Sequence, residues 1–234
     1  MAYGDDSEHY ISFSYGNDFQ MSRRRKVGIR FDRQEIRELS IATGVLTLAF
    51  AFVFSGSDLL DGRINFIGML LLLPFSFIAV LTGFALHELG HKISANIFGY
   101  PAAFSYSQKM LLLGALISVV IGFLVAAPGA VVIYGRPSRK ENGIISAAGP
   151  GTNLLIGGTF FILAIPGFFI DAFIGNGLMI IAIVNLFLGA FNMIPIRPFD
   201  GSKIWRWSKA VYVILASLLV LPLLFLLGII PILG

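Results

Sequence analysis

Residues 66–98 read FIGMLLLLPFSFIAVLTGFALHELGHKISANIF, and this stretch decides the fold. From Phe66 to Leu86 it carries no ionisable side chain, and a run of about 18–20 apolar residues is enough to cross the hydrocarbon core of a bilayer. A membrane-spanning helix is therefore predicted, with a possible bend at Pro74 and an end at Gly99-Tyr100-Pro101. Its C-terminal part holds His87, Glu88 and His91 as His-Glu-Leu-Gly-His. Histidines four apart on a helix point the same way, because four residues make about 400° of turn. They can share one zinc ion, and the adjacent carboxylate can take a proton from its water. Ionisable groups are costly at membrane depth, so the motif reads as a functional site, that of a metal-dependent hydrolase working within the membrane.

Outward from this stretch the rest of the chain is of the same kind. Only 13% of residues are charged and 56% are hydrophobic, against about 25% charged in a soluble domain. The predicted fold class is an all-α polytopic membrane protein. About five helices span, at 36–55, 66–98, 143–167, 174–196 and 210–230, beside a re-entrant hairpin and a possible small β element. Residues 1–35 form a polar and basic tail without a legible signal peptide, and 36–234 form the membrane domain. In the tail, Tyr10 to Tyr15 alternates as a short strand would. Arg23, Arg24, Arg25 and Lys26, followed by Arg30, Arg33 and Arg37, look like a juxtamembrane anchor. Asp32 and Glu35 have capping-box spacing and open the first helix. Trp205 and Trp207, among basic residues, read as an interfacial anchor. The net charge of +4 is no sign of nucleic-acid binding, since the basic residues sit at the ends of apolar segments. Cysteine is absent, so a metal would be held by His, Asp or Glu.

Two histidines leave a catalytic zinc site one protein ligand short. His9 lies in the tail, and the acids near spans are Glu141, Asp171 and Asp200. Charge favours Asp200, although an Asp-Gly turn alone would explain its setting. Of 17 Lys and Arg residues, only Arg63 falls in a loop opposite the N-terminal cluster, so the N-terminus is expected in the cytoplasm. The second span then returns with His87 and His91 near its cytoplasmic end. Arg197, Lys203, Arg206 and Lys209 draw Asp200 to the same side, as Arg136, Arg139 and Lys140 draw their own loop. These statements agree only if residues 110–134 enter and leave by one face. The Ala127-Pro128-Gly129 break permits that, provided the backbone is covered by protein or faces water.

Three separated motifs now stand in order: His-Glu-Leu-Gly-His at 87–91, Gly-Pro-Gly-Thr-Asn at 149–153, and Asn-x-x-Pro-x-x-Pro-x-Asp-Gly at 192–201. In type, order and spacing they resemble the site-2 protease family of intramembrane zinc metalloproteases, in particular its compact archaeal members, over a core at 66–209. Phe199 before Asp-Gly is a mild departure from the usual Leu. The resemblance implies one zinc per chain on His87, His91 and Asp200, and Glu88 as general base. It implies that Asn153 contacts substrate or the developing oxyanion. Asn192 matches a recurrent family position and is grouped with Asn153 as a candidate substrate contact. The implied partners are transmembrane protein substrates and the lipid bilayer; the implied location is the cell membrane.

The chemistry is coherent with that resemblance. Two neutral imidazoles and one carboxylate leave a zinc site at +1, which brings bound water toward a pKa of about 7. A transmembrane helix must unwind before its carbonyls can be attacked, and the segment 110–134 could supply an edge strand to hold the unwound stretch. Two alternatives stand beside this reading. A prenyl-protein-type membrane zinc protease would use Glu141 as third ligand. A zinc-binding membrane scaffold without activity would have no task for Glu88.

Overall fold

The computed structural model describes residues 28–121 and 129–226. The tail strand at Tyr10–Tyr15, the Arg23–Lys26 cluster, His9 and the Ala127-Pro128 part of the break lie outside the described residues. Asp32 caps the first helix, α1 (Arg33–Phe54), by accepting from the Gln34 N–H at 3.4 Å. Glu35 does not complete a capping box: its carboxylate is buried, bonded to Lys92 and to the Phe104 N–H. After a polar turn, Asn65 caps α2 (Phe66–Val80), which runs through Pro74. The long helix leaves α geometry instead at a π-helical turn, Leu81–Ala85, and continues as α3 (Leu86–Ile97).

A strand, β1 (Ala102–Tyr106), and a short apolar helix, α4 (Gln108–Ile121), follow. A second strand, β2 (Gly129–Ile133), pairs antiparallel with β1, from Ala102 opposite Ile133 to Tyr106 opposite Gly129. The chain thus leaves the sheet at Tyr106 and rejoins it alongside at Gly129, the path a re-entrant segment requires. The strand expected within 110–134 is β2, and its partner β1 lies just before that segment.

Ser138 and Glu141 form a full capping box at the start of α5 (Arg139–Ile170). Asp171 caps α6 (Ala172–Asn192), accepting from the Phe173 and Ile174 N–H groups. The last described elements are α7 (Asp200–Trp207) and α8 (Lys209–Leu226).

Among the described residues five helices are long and apolar enough to span a bilayer: Arg33–Phe54, Phe66–Ile97, Arg139–Ile170, Ala172–Asn192 and Lys209–Leu226. The fold is that of an all-α, multi-pass membrane protein with one small sheet. Large apolar side chains such as Leu70, Leu155 and Phe169 point outward, as expected where lipid replaces water as the solvent. The core between α1, α2, α6 and the hairpin is built on Phe50, Val80, Phe84, Phe104, Ile181 and Val184. Phe84 meets Phe104 edge to face, with ring centroids 5.6 Å apart. This contact seats the hairpin against the start of the helix that carries the histidines.

Candidate active site

Helix α3 presents His87 and His91 toward α5 and α7 and Glu88 toward β2, and all three are buried. The ring nitrogens are fixed by what lies behind them. The His91 Nδ1–H donates to the Ile145 carbonyl at 2.8 Å, and a carbonyl can only accept, so Nδ1 carries the proton. The His87 Nδ1 meets the Asn153 Oδ1 at 3.0 Å. Asn153 Nδ2 donates to the Gly83 and Asn185 carbonyls at 3.1 and 3.2 Å, which fixes the amide and makes Oδ1 the acceptor. In its neutral form each imidazole therefore turns an unprotonated Nε2 inward. The two Nε2 atoms stand 3.1 Å apart.

Asp200, at the start of α7, brings its Oδ2 to 3.5 Å from His87 Nε2 and 3.0 Å from His91 Nε2. Its Oδ1 accepts from Lys203 Nζ at 3.1 Å, one helical turn on. Burial alone would raise the Asp200 carboxyl. The charge of a protonated His91, hydrogen bonds from the two imidazoles and the Lys203 ammonium hold it well below the usual carboxylate range. Three electron-pair donors thus converge with separations of 3.0–3.5 Å. Tetrahedral zinc with bonds of about 2.0–2.1 Å has ligands about 3.3 Å apart, so the residues fit that ion. Gly149 leaves the room: a Cβ there would lie 2.4 Å from His91 Nε2 and 2.6 Å from His87 Nε2. Gly201 serves the same site at a distance, since a Cβ would fall 2.1 Å from the Met193 carbonyl oxygen and push Asp200 away.

The triad opens onto a cavity of about 120 Å³. Its lining includes Glu88, Asn192, Phe199, Lys203 and the strand β2. Glu88 Oε2 accepts from the Val131 N–H at 3.0 Å. That N–H points away from β1. By the alternation of an antiparallel ladder, the N–H and C=O groups of Gly129 and Ile133 point the same way. The β2 edge therefore faces the cavity.

The sequence-derived residues fall into two groups. His87, His91 and Asp200 are the group among the described residues able to hold a metal, and Glu88 shares their cavity. Asn192 also lines it, with Nδ2 donating to the Leu188 carbonyl. Asn153 does not line it: the residue is fully buried behind His87, and the three hydrogen bonds given above use its Oδ1 and Nδ2. Glu141, the alternative ligand, serves the α5 cap and accepts from the Tyr100 hydroxyl at 3.0 Å. Lys203 and Gly149 are additions. In sequence Lys203 shows only as a charge that bears on topology, and Gly149 as one residue of the 149–153 motif.

The chain is similar to "Putative zinc metalloprotease MJ0611" of Methanocaldococcus jannaschii, 38% identical over 192 residues, or 79% of this chain and 90% of that protein. It is similar to "Putative zinc metalloprotease YwhC" of Bacillus subtilis, 30% identical over 150 residues, or 57% of this chain and 68% of that protein. It also matches "Zinc metalloprotease MJ0392" of M. jannaschii at 29% identity over 175 residues, 74% of this chain but 43% of that longer protein. No protein-family profile matches the chain, and no solved structure matches it.

Proposed function

The chain belongs to the zinc metalloprotease family of these relatives, and on that premise we propose that it is an intramembrane, site-2 type protease. It hydrolyses peptide bonds in or near transmembrane segments of other membrane proteins, in the manner of regulated intramembrane proteolysis. The observation that carries this reading is the shared cavity: the His87–His91–Asp200 triad, Glu88 and a free strand edge meet there, on helices long and apolar enough to span a bilayer. The N-terminus is assigned to the cytoplasm on the distribution of Lys and Arg, and the protein to the cell membrane on the family resemblance.

His87, His91 and Asp200 would hold the zinc. When bound, the ion supplies a Lewis acid that polarises a carbonyl and acidifies water to a pKa of about 7. The chain's own residues do the rest. Glu88 Oε1, the oxygen that Val131 does not engage, accepts the proton of the attacking water and returns it to the leaving amide nitrogen. Asn153 has no donor left for an oxyanion and instead fixes the tautomer of His87. Asn192 lines the cavity and donates one amide hydrogen to Leu188, so its second is the donor available to the substrate carbonyl. An unwound substrate segment lies along β2 and pairs with the outward groups of Gly129, Val131 and Ile133. In doing so it claims the Val131 N–H that Glu88 now holds.

The test is Glu88→Gln in purified protein, assayed for zinc and for cleavage of a reporter transmembrane substrate. The amide keeps the shape and loses the base, so zinc should remain at one per chain while cleavage is abolished. Turnover above a few per cent of wild type with zinc in place removes Glu88 from the mechanism. Wild-type protein that binds zinc and cleaves nothing supports the inactive scaffold instead.

A further inference from the structure

The buried ionisable group that the mechanism leaves unused is the pair Glu35–Lys92. Glu35 is 4% exposed and Lys92 2%, and the two side chains form an ion pair. Lys92 Nζ also sits 4.1 Å from the centroid of the Phe31 ring. A buried ion pair is weak evidence for stability, because desolvating both charges offsets much of their attraction. Its geometry is more telling. Lys92 directly follows the ligand His91 on α3. The second oxygen of Glu35, Oε1, accepts from the Phe104 N–H of β1 at 2.9 Å. One carboxylate thus joins α1, the helix of the metal ligands and the hairpin. Three residues along α1, Glu38 Oε2 accepts from the Tyr106 N–H at 3.1 Å.

These two bonds use two of the three outward N–H groups of β1, those of Phe104 and Tyr106. An open strand edge invites pairing with any extended chain, and the β1 edge is closed by carboxylates from α1. Among the described residues the β2 edge has one such bond, from Val131 to Glu88. We propose that Glu35 and Lys92 are positioning residues. They clamp β1 to the helix that carries the metal ligands and thereby hold the β2 edge at a set height over Glu88. Glu38 completes the closure of the opposite edge, so that an arriving strand has one place to pair. This inference rests on the reading of β2 as the substrate-binding edge.

The experiment compares two uncharged pairs in the full-length chain, since either single neutralisation would strand a buried charge. Glu35→Gln/Lys92→Gln keeps an acceptor for the Phe104 N–H. Glu35→Leu/Lys92→Met removes it. Zinc content, kcat and KM for the reporter substrate, and deuterium uptake over residues 102–106 are measured for both. The Leu/Met pair should keep one zinc and its kcat, raise KM about tenfold, the scale of one lost hydrogen bond to a charged group, and exchange faster over β1. The Gln/Gln pair should follow wild type in all four. Wild-type KM and exchange in the Leu/Met pair would overturn the proposal. So would an equal rise of KM in both pairs, or loss of zinc in the Leu/Met pair. If the wild-type chain cleaves nothing, the proposed function fails, while the exchange data still decide whether Glu35 clamps the strand.

Discussion

At the scale of single residues, the site is set as much by what stands behind the ligands as by the ligands. Hydrogen bonds to a ligating imidazole typically contribute about 10–100-fold in metal affinity. Asn153→Ala should therefore weaken zinc binding by about that factor, read by competition with a chelator of known affinity. Asn192→Ala should keep zinc and lose turnover. The opposite pattern would return Asn153 to the substrate side. Asp200→Ala should release zinc and Glu141→Ala should not; metal analysis of the two variants checks the third ligand directly. His87, Glu88, His91 and Asp200 were legible in the sequence because their spacing or charge setting constrains them. The different surroundings of Asn153 and Asn192 were not. An asparagine amide can face either way, and what Asn153 meets is decided by the π-helical turn, α3 and α6 converging from distant parts of the chain. Gly149 was likewise ambiguous, since small residues on membrane helices commonly serve close packing.

At the scale of elements, the hairpin shows how local signals are reassigned by tertiary partners. Asp32 and Glu35 have the spacing of a capping box, and Asp32 does cap α1. Glu35 is taken by β1 and α3 because their N–H and ammonium groups are buried and need an acceptor. The box that forms is Ser138–Glu141, in a segment whose sequence points only to basic charge and to Glu141 as an alternative ligand. Strand β1 went unread: five residues after Tyr100-Pro101 carry little periodicity, and their pairing partner lies 23 or more residues on. The outward direction of the β2 amides makes a further prediction. Proline at Ile133 removes an outward N–H without touching the ladder to β1, whereas proline at Val132 removes a ladder bond. Ile133→Pro should raise KM with zinc and hairpin intact, and Val132→Pro should also speed deuterium uptake across β1 and β2. Equal exchange in the two variants would mean that the ladder phase is misassigned.

At the scale of the whole molecule, five helices able to span were legible because lipid-facing segments are apolar all round; their described ends lie within four residues of those expected, and the expected end at 230 lies outside the described residues. The re-entrant path rests on charge: one extra crossing would strand the 136–140 loop and Asp200 on the far side. The chain has no cysteine, so Gly62→Cys and Ser138→Cys can be labelled singly in intact cells with an impermeant maleimide. Labelling at 62 and not at 138 is expected; labelling at 138 from outside would overturn the cytoplasmic assignment. The π-helical turn had no signature in sequence, yet it governs how the site sits in this frame. It places one residue more in the helix than α geometry would over the same length, and one residue is about 100° of azimuth. The half of the helix that packs against α6 and the half that holds His87 and His91 are therefore two segments of one shaft with a built-in phase offset. Removing Leu81 would let the shaft close into continuous α-helix. The chain would still insert and its hydropathy would barely change. The two imidazoles, however, would swing by about a quarter turn, away from Asp200 and from the α5 groove that Gly149 opens. A protein of normal length in the membrane, with every ligand present in its sequence and no zinc, is the expected result.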